Sequence, residues 1–267
     1  MISSLHNPRI QLVRSLLGRS KDRRETGAFL AEGVRLVEEA LAVNWPFRFV
    51  LAAESLGERG KMLVASLQAR GVDVEMVVDN LMQSVTETET SQGILAVLEH
   101  SALAVPDQPS FVLIPDSIRD PGNLGTLLRT AAAAGVQAVF LPPETTDAFA
   151  PKVVRAGMGA HFRLPILSLD WGAIQAGTRG LAVFLADMDA TTPCWRTDFQ
   201  QPLALIIGSE ADGAGREARL LADLLISIPM PGMSESLNAA VAGAVLMFEV
   251  VRQREAWQPM KLLPKIP

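Results

Sequence analysis

The 267-residue chain has one cysteine, Cys194, no tyrosine, and three scattered histidines, His6, His100 and His161. A lone thiol excludes an internal disulfide, and histidines so far apart offer no metal-ligand spacing, so no structural metal is expected. Aromatic residues make up only 5% of the chain, which disfavours nucleic-acid recognition by extensive base stacking. Long apolar runs are also missing. The longest, Leu237 to Val251, carries Asn238 and Glu249, is shorter than a bilayer span and lacks flanking charge of one sign, so it reads as a buried helix. Met1-Ile2-Ser3-Ser4-Leu5-His6 shows no basic stretch leading into an apolar one, so no secretory signal is read there. No G-x-G-x-x-G follows a strand, and Gly57-Glu58-Arg59-Gly60-Lys61 lacks the spacing of a phosphate loop. The expectation is a soluble, cytoplasmic protein without membrane segment, metal or dinucleotide fold.

What is present begins with enough apolar content, 49%, to bury a full core, and enough length for two domains. The formal net charge of −5 argues against a generally basic nucleic-acid binder, but charge is locally reversed at the start. Arg9, Arg14, Arg19, Lys21, Arg23 and Arg24 face only Asp22 and Glu25 before residue 28. This run is either a solvated helix surface or a patch that contacts phosphates.

Periodicity divides the chain. Pro8 to Leu17 and Val34 to Val43 have helical spacing, Ala28 to Ala31 is a short extended run, and Phe47 to Ala53, Val72 to Val78 and Gly93 to Leu98 read as strands with a helix from about Glu58 to Ala69. Residues 1–99 are thus a small α/β unit. Residues 100–110, with Pro106, Asp107 and Pro109 and no periodicity, read as a linker. From Phe111 strands and helices alternate, as in a mostly parallel sheet covered on both faces. The predicted strands are Phe111 to Pro115, Ala138 to Leu141, Leu181 to Ala186, Leu203 to Gly208 and Leu225 to Ile228. Helices are predicted at about Asn123 to Ala134, Pro151 to Met158, Gly215 to Leu221 and Ser236 to Arg254.

Three segments of this second unit, 111–267, place polar residues where a strand gives way to a helix. Asp120-Pro121-Gly122-Asn123 opens a helix on which Arg129 sits among Gly125, Ala132 and Ala133, away from the apolar face of Leu124, Leu127, Leu128 and Ala131. Taken alone, Arg129 is a surface arginine and Asn123 a helix N-cap. Ile206-Ile207-Gly208-Ser209-Glu210 ends an apolar strand in a glycine that admits a ligand to the backbone and a carboxylate at the sheet edge. Ile228-Pro229-Met230 runs on to Ser236-Leu237-Asn238 at the head of an apolar helix. There Ser236 has the character of an N-cap, and the amide of Asn238 needs buried partners or a ligand. Ligands of open α/β sheets gather at the carboxyl ends of strands, so these segments can converge on one site.

In order and spacing, Asn123-Leu124-Gly125 with Arg129-Thr130, then Ile206 to Glu210, then Ile228-Pro229-Met230 with Ser236-Leu237-Asn238 resemble the SpoU (TrmH-like) ribose methyltransferases of the SPOUT class. Leu5-His6-Asn7-Pro8-Arg9 and Phe29-Leu30-Ala31-Glu32-Gly33 are similar to the L30e-like substrate-binding domain that often precedes that catalytic domain. The resemblance implies an α/β-knot domain acting as a homodimer, a class of path so rare that only a family match suggests it. It implies methyl transfer from S-adenosylmethionine to a ribose 2′-hydroxyl of RNA, ribosomal RNA before transfer RNA. It places Gly208, Ile228, Leu237 and neighbouring Met230 at the cofactor, and Asn123, Arg129, Glu210, Ser236 and Asn238 in catalysis and substrate positioning. Arg9, Arg14, Arg19, Arg23 and Arg24 become the candidate RNA contacts. Because a guanidinium normally stays protonated, Arg129 is favoured as phosphate anchor and stabiliser of developing charge, with base action as the lesser alternative. Ala211 and the pair Ala239-Ala240 depart from common family residues without removing a named functional group. A base methyltransferase and a non-catalytic RNA-binding factor remain the rival readings.

Overall fold

A computed structural model describes residues 1–86, 91–209, 213–232 and 236–255. The N-terminal part runs α1 (Pro8–Gly18), α2 (Ser20–Thr26), β1 (Ala28–Glu32), α3 (Val34–Ala42), β2 (Phe47–Ala53), α4 (Glu58–Ala69), β3 (Val74–Val77), α5 (Asp79–Ser84) and β4 (Ile94–Glu99). Its sheet has the order β1-β4-β2-β3, antiparallel except where β2 meets β3. The strand residues alternate between two apolar layers, Phe29 and Ala31 to one and Ala28 and Leu30 to the other, because successive side chains of a strand point to opposite faces. Helices α2 and α5 escape the sequence reading. The 7-residue α2 contains no apolar residue to mark a buried face, and the 6-residue α5 has only the adjacent pair Leu81 and Met82 buried.

Residues 100–110 form neither helix nor strand. The chain continues through β5 (Phe111–Pro115), α6 (Pro121–Ala133), β6 (Ala138–Leu141), α7 (Pro151–Gly157), β7 (Ile166–Ser168), α8 (Trp171–Gly177), β8 (Ala182–Ala186), β9 (Thr192–Pro193), β10 (Leu203–Ile207), α9 (Arg216–Leu221), β11 (Leu224–Ser227) and α10 (Ala239–Arg254). All described pairings of its seven-stranded sheet are parallel, in the order β7-β6-β5-β10-β8-β11-β9. The α/β expectation holds for both sheets. The short edge strands β7 and β9 and helix α8 are additions to the sequence reading.

Strand β10 lies between β5 and β8, both earlier in the chain, with Ile207 in register with Pro115 on one side and Ala186 on the other. Three strand ends therefore finish level, and the loops leaving them crowd one edge. Helix α10 closes over this edge against α6, where the missing side chain of Gly243 makes room for Leu127. Likewise α6 meets α7 at Gly125, where a Cβ would lie 2.5 Å from that of Ala156.

The two sheets are joined by aromatic packing and charge. Phe29 packs on Phe149 at 5.1 Å and Trp45 on Phe162 at 5.2 Å between ring centres, while the His100 ring lies tilted against Phe149 at 4.0 Å. Arg23, 3% exposed, pairs with Asp147 at 2.7 Å and donates to the carbonyls of Leu16 and Gly18. His161 is wholly buried beside them and donates from Nε2 to the Ala148 carbonyl at 2.7 Å. Its Nδ1 therefore carries no proton and has no hydrogen-bond partner among the described residues. Desolvation pushes this imidazole down to about 4, and burial likewise lowers His100.

Candidate active site and cofactor cleft

Helix α6 starts two residues earlier than the spacing predicts. Asp120, not Asn123, is its N-cap, accepting from the Asn123 amide at 2.8 Å, and Pro121 occupies the first turn where no amide hydrogen is needed. The Asn123 side chain is thereby released from capping, and its Oδ1 accepts from Nδ2 of Asn238 at 3.0 Å. Helix α10 starts later than predicted. Asn238 is its N-cap, taking the amides of Ala240 and Val241 at 3.0 and 3.2 Å, so Ser236 and Leu237 lie before the helix. The exposed Asn238 thus has backbone partners instead of the buried ones expected of it. One amide side chain starts a helix and reaches across to the first motif.

The segment after β10 turns back on itself. Ser209 and Gly213 exchange backbone hydrogen bonds at 2.9 and 3.1 Å. A Cβ on Gly208 would stand 2.5 Å from the Ala214 amide nitrogen and 2.6 Å from the Gly213 carbonyl carbon. The space is taken by the loop backbone, so glycine here is required by the chain's own return and not only by a ligand. Glu210 lies outside the described residues. Asp116, buried at the end of β5, anchors the far side of this loop by accepting from the Gly215 amide at 2.7 Å. Sequence reasoning passed over Asp116, although a carboxylate directly after an apolar strand was a visible signal.

Between the ends of β8, β10 and β11 lies a cleft of about 320 Å³, within the size range of small-molecule sites. Gly208, Ile228, Met230, Ser236 and Leu237 all line it. Four of these are the positions assigned to the cofactor from the sequence; Ser236 was assigned to substrate. The wall formed by Asp187, Asp189 and Arg219 was not foreseen.

Arg129 is exposed on α6 and forms no hydrogen bond or ion pair with a described residue. It lies four residues beyond Gly125, hence on the side of α6 turned toward α7, while Asn123 points about 120° away around the helix. The structure brings Asn123 to Asn238 and leaves Arg129 apart from both. Of the five arginines proposed for RNA, Arg14, Arg19 and Arg24 are exposed. Arg9 is engaged by Asp73 and Glu75 and lies over the Phe49 ring. Arg23 is a correction. Buried in its pair with Asp147, it holds the two sheets together and offers nothing to a phosphate. Among the described residues no cluster could hold a metal ion, and no helix is long and apolar enough to cross a membrane.

The seven-stranded parallel sheet, with its cleft among crowded loops at one edge, is the architecture of a SpoU-type methyltransferase. The SpoU rRNA Methylase family matches residues 110–248, an MRM3-like substrate binding domain matches residues 7–96, and the chain belongs to the SpoU rRNA methylase family. It is 36% identical to the Bacillus subtilis 23S rRNA (guanosine(2553)-2′-O)-methyltransferase RlmP, over 86% of this chain and 91% of that one. Identity to the 23S rRNA (uridine(2479)-2′-O)-methyltransferase of Streptomyces viridochromogenes is 32%, over 93% and 91%. The AdoMet-bound rRNA methyltransferase from Sinorhizobium meliloti superposes with a TM-score of 0.82 at 31% identity, covering 94% of this chain and 97% of that one.

Proposed function

We infer that the protein is an S-adenosylmethionine-dependent methyltransferase that modifies a ribose 2′-hydroxyl of 23S ribosomal RNA. The observation that carries this reading is the convergence of the motif segments: Asn123 and Asn238 share a hydrogen bond, and the chain leading to Asn238 lines the same cleft as Gly208 and Ile228. The cleft suits the cofactor, with apolar walls and main chain for a nucleoside and charged groups at one side for an amino acid. S-Adenosylmethionine supplies an already activated methyl group, so the protein has chiefly to align the acceptor and favour its alkoxide.

In this scheme Asn123 and Asn238 hold the ribose, with Ser236 beside them. Arg129, exposed and without an ion pair among the described residues, anchors the adjoining phosphate and stabilises charge developing on the 2′-oxygen. It lies on the side of α6 facing α7, which also packs on β1 of the N-terminal sheet, so RNA laid across both units passes it. Glu210 is assigned to orienting Arg129 or Asn123. Residues 1–99 are the RNA-binding unit and residues 111–267 the catalytic one, with its knot in the C-terminal part. Arg14, Arg19 and Arg24 supply the basic contacts of the first unit.

The protein works as a homodimer through α10. Val241, Val245 and Phe248, spaced along one side of that helix, are 48%, 41% and 49% exposed, an apolar stripe that a second copy would cover.

The test is transfer of labelled methyl from S-adenosylmethionine to ribosomal RNA from cells lacking the gene, followed by nucleoside analysis. A 2′-O-methylnucleoside is expected from the unmutated protein. Arg129→Ala should cut turnover by about 100-fold or more, the scale of lost electrostatic stabilisation, while leaving cofactor affinity unchanged. A methyl on a base ring, or a large loss of cofactor binding in Arg129→Ala, would overturn the assignment.

A further inference from the structure

The charged groups on the described wall of the cofactor cleft come from two places. Asp187 and Asp189 leave the end of β8, and Arg219 comes from α9, beyond the loop that follows β10. No other described residue of the cleft is charged. Arg219 reaches back across the loop and pairs with Asp187 at 2.7 Å. The Asp187 carboxylate is only 9% exposed and both its oxygens are used, Oδ2 by the guanidinium and Oδ1 by the Asp189 amide at 2.9 Å. It is therefore fixed. The Arg219 side chain, in contrast, is 47% exposed and makes no other ion pair or hydrogen bond among the described residues, so part of its donor fork still faces the cleft. A buried carboxylate orienting a half-exposed guanidinium is how a binding arginine is held in one geometry.

The cofactor's adenine and ribose carry no charge; its methionine end carries a carboxylate and an ammonium. We propose that Arg219, oriented by Asp187, receives the carboxylate of that amino-acid end, with the exposed Asp189 supplying negative charge for the ammonium. The proposal rests on the cofactor reading above and extends it to a residue outside the three motif segments. Arg219 is a binding residue and Asp187 a positioning residue.

Calorimetric titration of the full chain with two ligands isolates the contact. S-Adenosylhomocysteine has both charges, whereas S-adenosyl-3-thiopropylamine keeps the ammonium and lacks the carboxylate. The unmutated protein should prefer the first. Arg219→Ala should weaken S-adenosylhomocysteine by about tenfold, the scale of one partly solvated charge-assisted hydrogen bond, and leave the thiopropylamine unchanged, so that the preference disappears. Arg219→Lys should retain part of it, and Asp187→Asn should fall between. Equal weakening of both ligands would mean that the pair only shapes the cleft, and no weakening would mean that it touches neither; each overturns the assignment. If the unmutated protein binds neither ligand, the cofactor reading itself fails and this assignment falls with it.

Discussion

Replacing Gly208 by alanine tests the packing on which the cleft depends. The new methyl group would sit 2.5 Å from the Ala214 nitrogen, 2.6 Å from the Gly213 carbonyl carbon and 2.8 Å from its oxygen, where ordinary contact begins at 3.4 Å. All three are main-chain atoms, so no rotamer change relieves the contact and the loop must withdraw by about 0.9 Å to restore van der Waals separation. That distance is enough to break either hydrogen bond between Ser209 and Gly213, each contributing about 0.5–1.5 kcal/mol. Overpacking of this kind costs about 1–3 kcal/mol in all. The cost has two outlets. If the loop keeps its place, the domain carries the strain and melting falls by about 2–4 °C for each kcal/mol. If the loop moves, the cleft loses its wall at Gly208 and Ser209, and ligand affinity falls by about tenfold for each 1.4 kcal/mol. Differential scanning calorimetry and titration with S-adenosylhomocysteine, run on the same preparation, read both. Gly208→Ala with unchanged melting and unchanged affinity would refute the close return of the loop onto the strand end.

Acid should loosen the contact between the two sheets. The buried His161 titrates at about 4 in the folded protein and near 6.5 when unfolded. Between those values the unfolded chain binds more protons, so stability is complete above about pH 6.5 and falls by about 3 kcal/mol as pH drops toward 4. Denaturant melts at pH 7 and pH 5 should show this dependence, and His161→Phe should flatten it; an unaltered slope in the variant would place the titration elsewhere. In RNA binding, changing Arg14, Arg19 and Arg24 together to alanine should reduce the salt dependence by about 0.7–0.9 for each phosphate that is no longer neutralised. Arg23→Ala should instead lower melting by leaving Asp147 unpaired, with the salt slope unchanged. The opposite pattern in a filter-binding series would reverse the two roles. Phe248→Glu, which puts a charge into the apolar stripe of α10, should convert a dimer into a monomer in light scattering; a wild-type monomer, or a dimer indifferent to the change, would remove α10 as the interface.

The behaviour of the arginine run between residues 9 and 24 shows what the sequence could and could not convey. A count of charge cannot separate Arg23 from Arg24, yet one is buried and the other exposed. The difference is made by Asp147, 124 residues later, and by the helix α2, which has no apolar residue to mark its buried face. The motif segments were legible for a related reason. Their residues sit at junctions of strand and helix, where apolar runs stop and turn chemistry starts, and those changes are local. Even there the local rules misplaced both caps. Asn123 and Ser236 each satisfied the composition of an N-cap, and each lost the position to a neighbour, Asp120 and Asn238, that satisfied it as well.

That exchange of caps bears on function. Had Asn123 capped α6, its side-chain oxygen would be committed to its own helix. With Asp120 in that place, the oxygen is available to Asn238, whose Oδ1 is in turn held by the first amides of α10. The orientation of Asn123 is thus fixed by a helix that begins 116 residues later in the chain, and that helix is kept against α6 by the absence of a side chain at Gly243. The pairing of β10 between β5 and β8 sets the third side, since it brings the Gly208 loop level with the Asp116 that anchors it. Each piece of the site is held by a contact made far away in sequence, which is why composition and spacing could name its members but not their geometry.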